Sequence, residues 1–400
     1  MDLERVYFVI SILAGIVFLY TLVAKRIENS SISGPIVYVL LGLLLGGHGL
    51  GLIGLSAQAN DLRLLADLTL ALILFSDAAH SNLSVLKQKA VYPVRMLLFG
   101  LPGAIILGTL VAVVLFDVLS VTEAAILATM LAATDAALGK AVISNPKVPT
   151  PVSEGLNVES GLNDGLCVPI LLLLIAVETS ATHTEISTWH ALMVFAEELG
   201  IGMAVGMSLA YIGAKLLHWS AKKGWLGEVW AQLTVGAMAL ASFGLAQTLH
   251  GSGYIAAFTG GLLFGHLASS HTHKLVLATE GIAELLAMLT WILFGAAVVG
   301  QVLGLFSVSM IAYALISLTL VRMLPIYLSF LGTSVPPRHR WFMGWFGPRG
   351  LASIVFTIIV LDAELPGGRF IALTVVCTVI LSLVLHGITA RALSERVGSD

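Results

Sequence analysis

The sequence predicts an all-α integral membrane protein of about thirteen transmembrane helices in two inverted repeats, with helices 5 and 12 discontinuous. Three observations point there. Only 11% of the 400 residues are charged, against about 25% in a typical soluble domain, too few to build a water-soluble exterior. Apolar stretches near or above the roughly 20 residues that cross a bilayer as a helix recur from end to end, with no long polar block between them. Two of these stretches are interrupted by polar residues, glycine or proline, at corresponding places when the chain is divided around its seventh stretch.

In order, the spans fall near residues 5–24, 33–54, 62–79, 92–117, 121–143, 157–178, 190–217, 229–249, 253–270, 275–301, 305–331, 342–361 and 370–391. The first, VYFVISILAGIVFLYTLVA, lacks a small-residue cleavage site and reads as a retained helix rather than a signal peptide. Positive charge checks the count, because cytoplasmic connections carry the excess of Lys and Arg. Odd-numbered connections and the C-terminus hold Lys25, Arg26, Lys87, Lys89, Arg95, Lys140, Lys147, Lys215, Lys222, Lys223, Lys274, Arg338, Arg340, Arg391 and Arg396; the other face holds Arg5, Arg63 and Arg369. Arg322 and Arg349 lie inside spans and complete the 20. A missed or invented span would scramble this split, so the expectation is an outside N-terminus and a cytoplasmic C-terminus. Cys167 and Cys377 lie in apolar runs and suggest neither a disulfide framework nor a metal cluster.

A charged side chain at mid-membrane costs at least about 2.5 to 3.5 kcal/mol, so each needs a partner or a water-filled path. Asp117, Glu123, Glu178, Glu185, Asp362, Glu364 and Glu395 fall at span ends and read as solvated; Glu197, Glu198, Glu280 and Glu284 read as interfacial or packing residues. Asp77, near the end of span three, is balanced between the two readings. Asp135, Glu159, Asp164, Arg322 and Arg349 fall within spans five, six, eleven and twelve.

Span six opens on NVESGLNDG, residues 157–165. Glu159 stacks on Asn163 and Ser160 on Asp164 at i, i+4, so four oxygen-bearing side chains share a face about 140° wide. Polar residues often do no more than join membrane helices, but a Glu and an Asp together ask for more. Span five supplies Thr134 and Asp135 beside Ala136, Ala137 and Gly139, small residues that admit another backbone. Span twelve carries WFGPRGLASIVF, in which Gly347, Pro348, Arg349 and Gly350 do not suit a regular helix. If span seven is a linker (residues 180–225), spans one to six (1–179) pair with eight to thirteen (226–400) in opposite orientation, and the interruptions correspond. Interrupted helices at corresponding places in inverted halves are the best sequence pointer to a transporter's binding site. Asp135 on one broken helix and Arg349 on the other are placed to neutralise the half-helix dipoles.

ATDAALG, NVESGLNDG, Arg322 in LVRMLPIY and GPRGLASI together closely resemble the monovalent cation:proton antiporter-1 family, the NhaP and NHE type sodium/proton exchangers. The resemblance runs over essentially the whole chain, including the early GPIVYVLLGLLLG and the late LSLVLHGITA. It implies a NhaA-like antiporter fold and a homodimer, with a mobile core of helices 4–6 and 11–13 moving against a dimerisation domain of helices 1–3 and 8–10. It implies that Asp164 binds either the cation or the proton, that Asp135, Ser160 and Thr134 complete the oxygen shell for Na⁺, that Glu159 takes part through water and pairs with Arg322, that Asn163 shapes the site, and that Arg349 supports the unwound span twelve. Electrogenic relatives carry Asp-Asp where this chain has Asn163-Asp164, which implies one proton per cation and no net charge moved.

The residues suit that chemistry. A small hard cation exchanges its water shell for carboxylate, hydroxyl and carbonyl oxygens. Desolvation favours a protonated carboxyl and a bound cation favours the ionised one, so the two ligands compete. If the core moves only when neutralised, empty crossings are suppressed. The expected transported ion is Na⁺ or Li⁺, with K⁺/H⁺ exchange as the alternative; no cofactor and no nucleic-acid partner are expected, no P-loop pattern is present, and no enzymatic role is indicated. The setting is the cell (inner) membrane. An ion channel usually sets carboxylates in symmetric rings and lacks inverted broken helices. An intramembrane aspartyl protease would use Asp135 and Asp164, but its GxGD and PAL signatures are missing. The His-rich HLASSHTHK, residues 266–274, reads as a solvated loop, with pH sensing the rarer reading.

Overall fold

In a bilayer every backbone polar group must be satisfied inside protein, which leaves helices and closed barrels; among the described residues this chain is helical, with no strand. The computed structural model describes residues 3–28, 33–52, 59–80, 91–135, 138–139, 142, 145, 147–182, 188–268 and 272–397. Lys87, Lys89, Ala136, Ala137, Lys140, Glu185 and part of the His-rich 266–274 segment lie outside the described residues.

The helices are α1 (Leu3–Glu28), α2 (Gly34–Leu45), α3 (Ala59–His80), α4 (Val91–Leu115), α5 (Val121–Met130), α6 (Thr150–Thr182), α7 (Thr188–Lys222), α8 (Glu228–Thr248), α9 (Gly253–Ala268), α10 (Thr272–Phe294), α11 (Val308–Ser329), α12 (Pro337–Trp345), α13 (Leu351–Asp362) and α14 (Gly368–Val397). Among the described residues, eight helices are long and apolar enough to cross a membrane, and four shorter apolar helices of 10–17 residues accompany them. Each of the thirteen predicted spans is met by a helix, span twelve by the pair α12 and α13.

Among the described residues, wide π-turns occur at Met96–Gly100 in α4, at Gly295–Val299 directly after α10, and at Ser317–Val321 in α11. In α4 the cause is local, since Pro102 has no N–H to continue the regular ladder. In α11 the wide turn ends at Arg322, and π-turns recur at functional positions.

Packing sorts the helices into two groups. α3, α7, α8, α9 and α10 pack on one another, with α2 against α10; α4, α5, α6, α11, α12, α13 and α14 form the second group. Small residues set the closest approaches, as where Gly261 and Gly265 of α9 lie against the backbone of Phe75 and Ala79 in α3. The groups meet along α6, which touches α3, α7 and α9 on one side and α4 and α5 on the other.

Three expectations change. The second helix stops at Leu45, where Gly46 takes an extended conformation and a turn follows. α6 begins at Thr150, seven residues before the expected start, so NVESGLNDG lies well inside a 33-residue helix and not at its head. Glu123 and Glu178 are not solvated: they are 3% and 6% exposed. Glu123 closes a capping box with Ser120 and also accepts the Gly367 N–H at 2.6 Å, so one carboxylate serves the starts of α5 and α14. Glu178 accepts from the Ser120 hydroxyl at 3.0 Å.

Candidate ion-binding site

α5 ends at Met130, and Ala133, Thr134 and Asp135 continue without helical bonding; α12 ends at Trp345, and residues 346–350 run non-helical into α13. The two interruptions cross, joined by the Asp135 N–H donating to the Pro348 carbonyl at 2.8 Å. Such a crossing leaves helix-end carbonyls and N–H groups far from water, and several are answered by side chains. Asp135 Oδ2 accepts the Leu351 N–H at the start of α13 at 2.9 Å, and its Oδ1 accepts the Leu138 N–H at 3.2 Å. Arg349 is 1% exposed and sets Nη1 3.5 Å from the carbonyls of Ala132 and Ala133 just past α5. The acid therefore sits at a helix N-terminus and the base at a C-terminus, the favourable pairing with the helix dipoles. The Ser353 hydroxyl donates to the Met130 carbonyl at 2.9 Å. Gly350 is required here, because a Cβ at that position would strike the Asp135 carboxylate.

A second support comes from α14, and the sequence reading had no role for it. The Arg349 N–H donates to Ser382 Oγ at 2.7 Å, Ser382 Oγ lies 3.0 Å from His386 Nδ1, and His386 Nε2 lies 2.9 Å from the Trp345 carbonyl. A carbonyl can only accept, so Nε2 donates to Trp345, while Nδ1 lies 3.0 Å from both the hydroxyl and the carbonyl of Ser382 and bonds to one or the other according to its protonation. One chain of bonds thus ties the last carbonyl of α12 to the N–H that precedes α13.

Glu159 of α6 and Arg322 of α11 form a two-pronged ion pair, Nη1 to Oε1 at 2.7 Å and Nη2 to Oε2 at 2.9 Å, with both side chains 1% exposed. The Asn163 amide is engaged at both ends: its Nδ2 donates to Thr134 Oγ1 at 2.6 Å and Glu159 Oε1 at 3.1 Å, while its Oδ1 accepts the Thr134 N–H at 3.3 Å. Ser160 donates to the Thr134 carbonyl at 2.7 Å and accepts from its hydroxyl at 3.3 Å. A cavity of about 10 Å³ lies among Thr134, Asp135, Ser160, Phe346 and Pro348, close to the minimum for one water and too small for a hydrated cation.

Asp164 differs from its neighbours. It is 7% exposed, and its Oδ1 is buried with no hydrogen-bond partner among the described residues. Asp135, Asp77, Glu159 and Arg349 all act on it electrostatically. Asp77, left undecided from sequence, reaches the site from α3: its Cβ would lie 3.1 Å from a methyl placed on Gly161. Gly161 and Gly165 turn toward the first helix group, Gly165 against the Phe258 ring of α9, so Asp164 stands at the seam between the groups. Four carboxyl groups, Asp77, Asp135, Glu159 and Asp164, thus gather around two guanidinium groups, Arg322 and Arg349. The surplus of acid and the bare oxygen on Asp164 fit a site that receives a cation or a proton as its substrate.

Helices broken in the core and crossing beside a buried carboxylate define a membrane transporter of the broken-helix class. The chain belongs to the sodium/hydrogen exchanger transmembrane family, whose profile matches residues 11–396. It is 24% identical over 378 residues to the K(+)/H(+) antiporter NhaP2 of Shewanella sp. (strain ANA-3), covering 94% of this chain and 64% of that protein. The chain therefore spans a little under two thirds of that relative's length. It is 27% identical over 421 residues to the Na(+)/H(+) antiporter ApNhaP of Aphanothece halophytica, covering 99% of this chain and 75% of that one. Its fold is similar to that of the sodium proton antiporter MjNhaP1 from Methanocaldococcus jannaschii at pH 8, with a TM-score of 0.78 and 22% identity over 96% of this chain and 99% of the other.

Proposed function

We propose that this multi-pass membrane protein exchanges Na⁺ or Li⁺ for H⁺, one for one and without net charge movement, by alternating access around Asp164. The observation that carries the reading is the buried Oδ1 of Asp164, without a hydrogen-bond partner among the described residues, one helical turn beyond Ser160. Asp164, Asp135, Ser160 and the backbone of Thr134 contribute oxygens to the dehydrated cation; Glu159 takes part through water and Asn163 shapes the site. Cation and proton compete because the carboxylate cannot hold both, and either one removes the charge that opposes movement through the membrane. The amide role of Asn163 supports electroneutrality, since the position is occupied by hydrogen bonds that need donors.

The same reading takes residues 1–179 and 226–400 as inverted repeats around a linker helix in 180–225, with helices 4–6 and 11–13 as the mobile core. It takes helices 1–3 and 8–10 as the scaffold of a homodimer, in the inner membrane, with the N-terminus outside and the C-terminus in the cytoplasm. K⁺/H⁺ exchange is the second reading, supported by the function named for the NhaP2 relatives.

The test is recovery from an imposed acid-inside gradient in everted vesicles or proteoliposomes on adding Na⁺, Li⁺ or K⁺. Cation-driven alkalinisation that needs no membrane potential and is lost in Asp164→Asn is expected. Full activity in Asp164→Asn, or no response to any cation, would remove the reading, and a response to K⁺ alone would select the alternative.

A further inference from the structure

A cleft of about 430 Å³ opens on the lipid-facing side of the second helix group, between α4 and α11. Phe99 and Leu107 of α4 and Leu324, Pro325 and Leu328 of α11 line it, and Arg95 stands at one end. Three turns of α4 separate Arg95 from Leu107, about 18 Å along the axis, close to half of the roughly 30 Å hydrocarbon core. The cleft thus has the depth of one leaflet, apolar walls and a single cationic end.

The cationic end lies at the membrane surface. Arg95 Nη1 donates to the carbonyls of Ser329 at 2.7 Å and Leu331 at 3.2 Å, which close the C-terminus of α11. Just beyond, Tyr327 and Trp341 pair with ring centroids 4.8 Å apart, and Arg340 lies over the Tyr327 ring at 5.7 Å. Paired Tyr and Trp rings beside arginines mark the headgroup level. Anchoring through Nη1 fixes the guanidinium plane, and the remaining N–H groups of Arg95 suit a phosphate oxygen.

We propose that this cleft is a binding site for an anionic phospholipid, its phosphate on Arg95 and one acyl chain laid along Phe99, Leu107, Leu324 and Leu328. The occupant is argued from charge complementarity and depth: a neutral lipid would leave the cationic end unanswered, and a free phosphate would leave the apolar channel unfilled. The site is independent of the transported ion. It adjoins the transport machinery because Pro325 lies one turn after Arg322, so the lipid braces the segment that carries the Glu159 partner.

The experiment uses the full chain in nanodiscs of phosphatidylcholine, with and without phosphatidylglycerol, followed by native mass spectrometry of retained lipid. Preferential retention of phosphatidylglycerol is expected, falling about tenfold in Arg95→Gln, as for loss of a charge-assisted bond. It is expected to persist in Arg95→Lys, which keeps the charge, and in Arg338→Gln, which removes a nearby surface charge outside the cleft. Leu107→Trp, which fills the channel and leaves Arg95 in place, is expected to abolish retention, and inorganic phosphate is expected not to compete. Equal retention by Arg95→Gln and the parent chain would overturn the proposal. So would an equal loss in Arg338→Gln, which would mean diffuse surface attraction, or displacement by inorganic phosphate.

Discussion

Asn163 illustrates how little freedom the site leaves a single residue. Its amide gives two hydrogen bonds and takes one, and one acceptor it feeds is Glu159, already committed to Arg322. Asn163→Asp would set a second acid against Glu159 and remove the donors. At about 1–3 kcal/mol for each buried group left unsatisfied, a lower melting temperature in detergent and slower exchange are expected; a stable, electrogenic variant would contradict this account. The Glu159–Arg322 pair makes a sharper test. Breaking a buried pair from one side costs about 3–5 kcal/mol because the other charge is stranded, whereas an apolar replacement of both can be nearly neutral. Glu159→Leu and Arg322→Met should each destabilise strongly, and the double variant should recover much of the loss in a denaturation series. Additive losses would mean that the two side chains do not depend on each other.

At the scale of the element, the broken helices were legible because their causes are local: GPRG cannot continue a helix, and Thr-Asp beside small residues announces a crossing. The polar face of α6 was legible for the same reason, since i, i+4 spacing needs only the sequence. What closes the crossing from outside was not. Thr374, Thr378, Ser382 and His386 recur every four residues along α14, but the partners of Ser382 and His386 are 33 and 41 residues away in sequence, and no local pattern names them. Glu123 and Glu178 read as solvated because a span end looks wet until another helix start is known to cover it. Asp77 stayed undecided because the close approach of α3 depends on Gly161, and no local pattern links the two. The new element makes its own prediction. Ser382→Ala strands the Arg349 N–H and leaves His386 Nδ1 only the backbone carbonyl of residue 382, at a cost of about 1–3 kcal/mol for a buried polar group. Thermal unfolding should fall accordingly, and Ser382→Thr, which retains the hydroxyl, should recover stability; no loss in the alanine variant would show that the network does not hold the crossing.

Across the whole molecule, the two helix groups meet along a seam, and at one end of it Arg63 of α3 bridges to Asp362 at the end of α13. Arg63 also lies 3.6 Å from Asp67, which accepts from Tyr254 of α9 at 2.6 Å, so the bridge is anchored on the first group and reaches across to the second. Both Arg63 and Asp362 are substantially exposed, at 44% and 41% of their side chains, and such a pair is worth at most about 1 kcal/mol. Arg63→Gln should therefore shift the conformational balance by no more than about fivefold, read as a changed distribution of spin-label distances between α3 and α13. An unchanged distribution would mean that the bridge does not bias the seam. The internal pair has a different consequence, which concerns the making of the protein. Glu159 and Arg322 are 163 residues apart in the chain. At about 5–20 residues per second of synthesis, roughly 8 to 30 seconds separate their emergence from the ribosome. For that interval α6 carries its glutamate with no arginine to meet it. Delivery of this helix into the bilayer must therefore be delayed, proton-assisted or sheltered by the insertion machinery until the eleventh helix arrives.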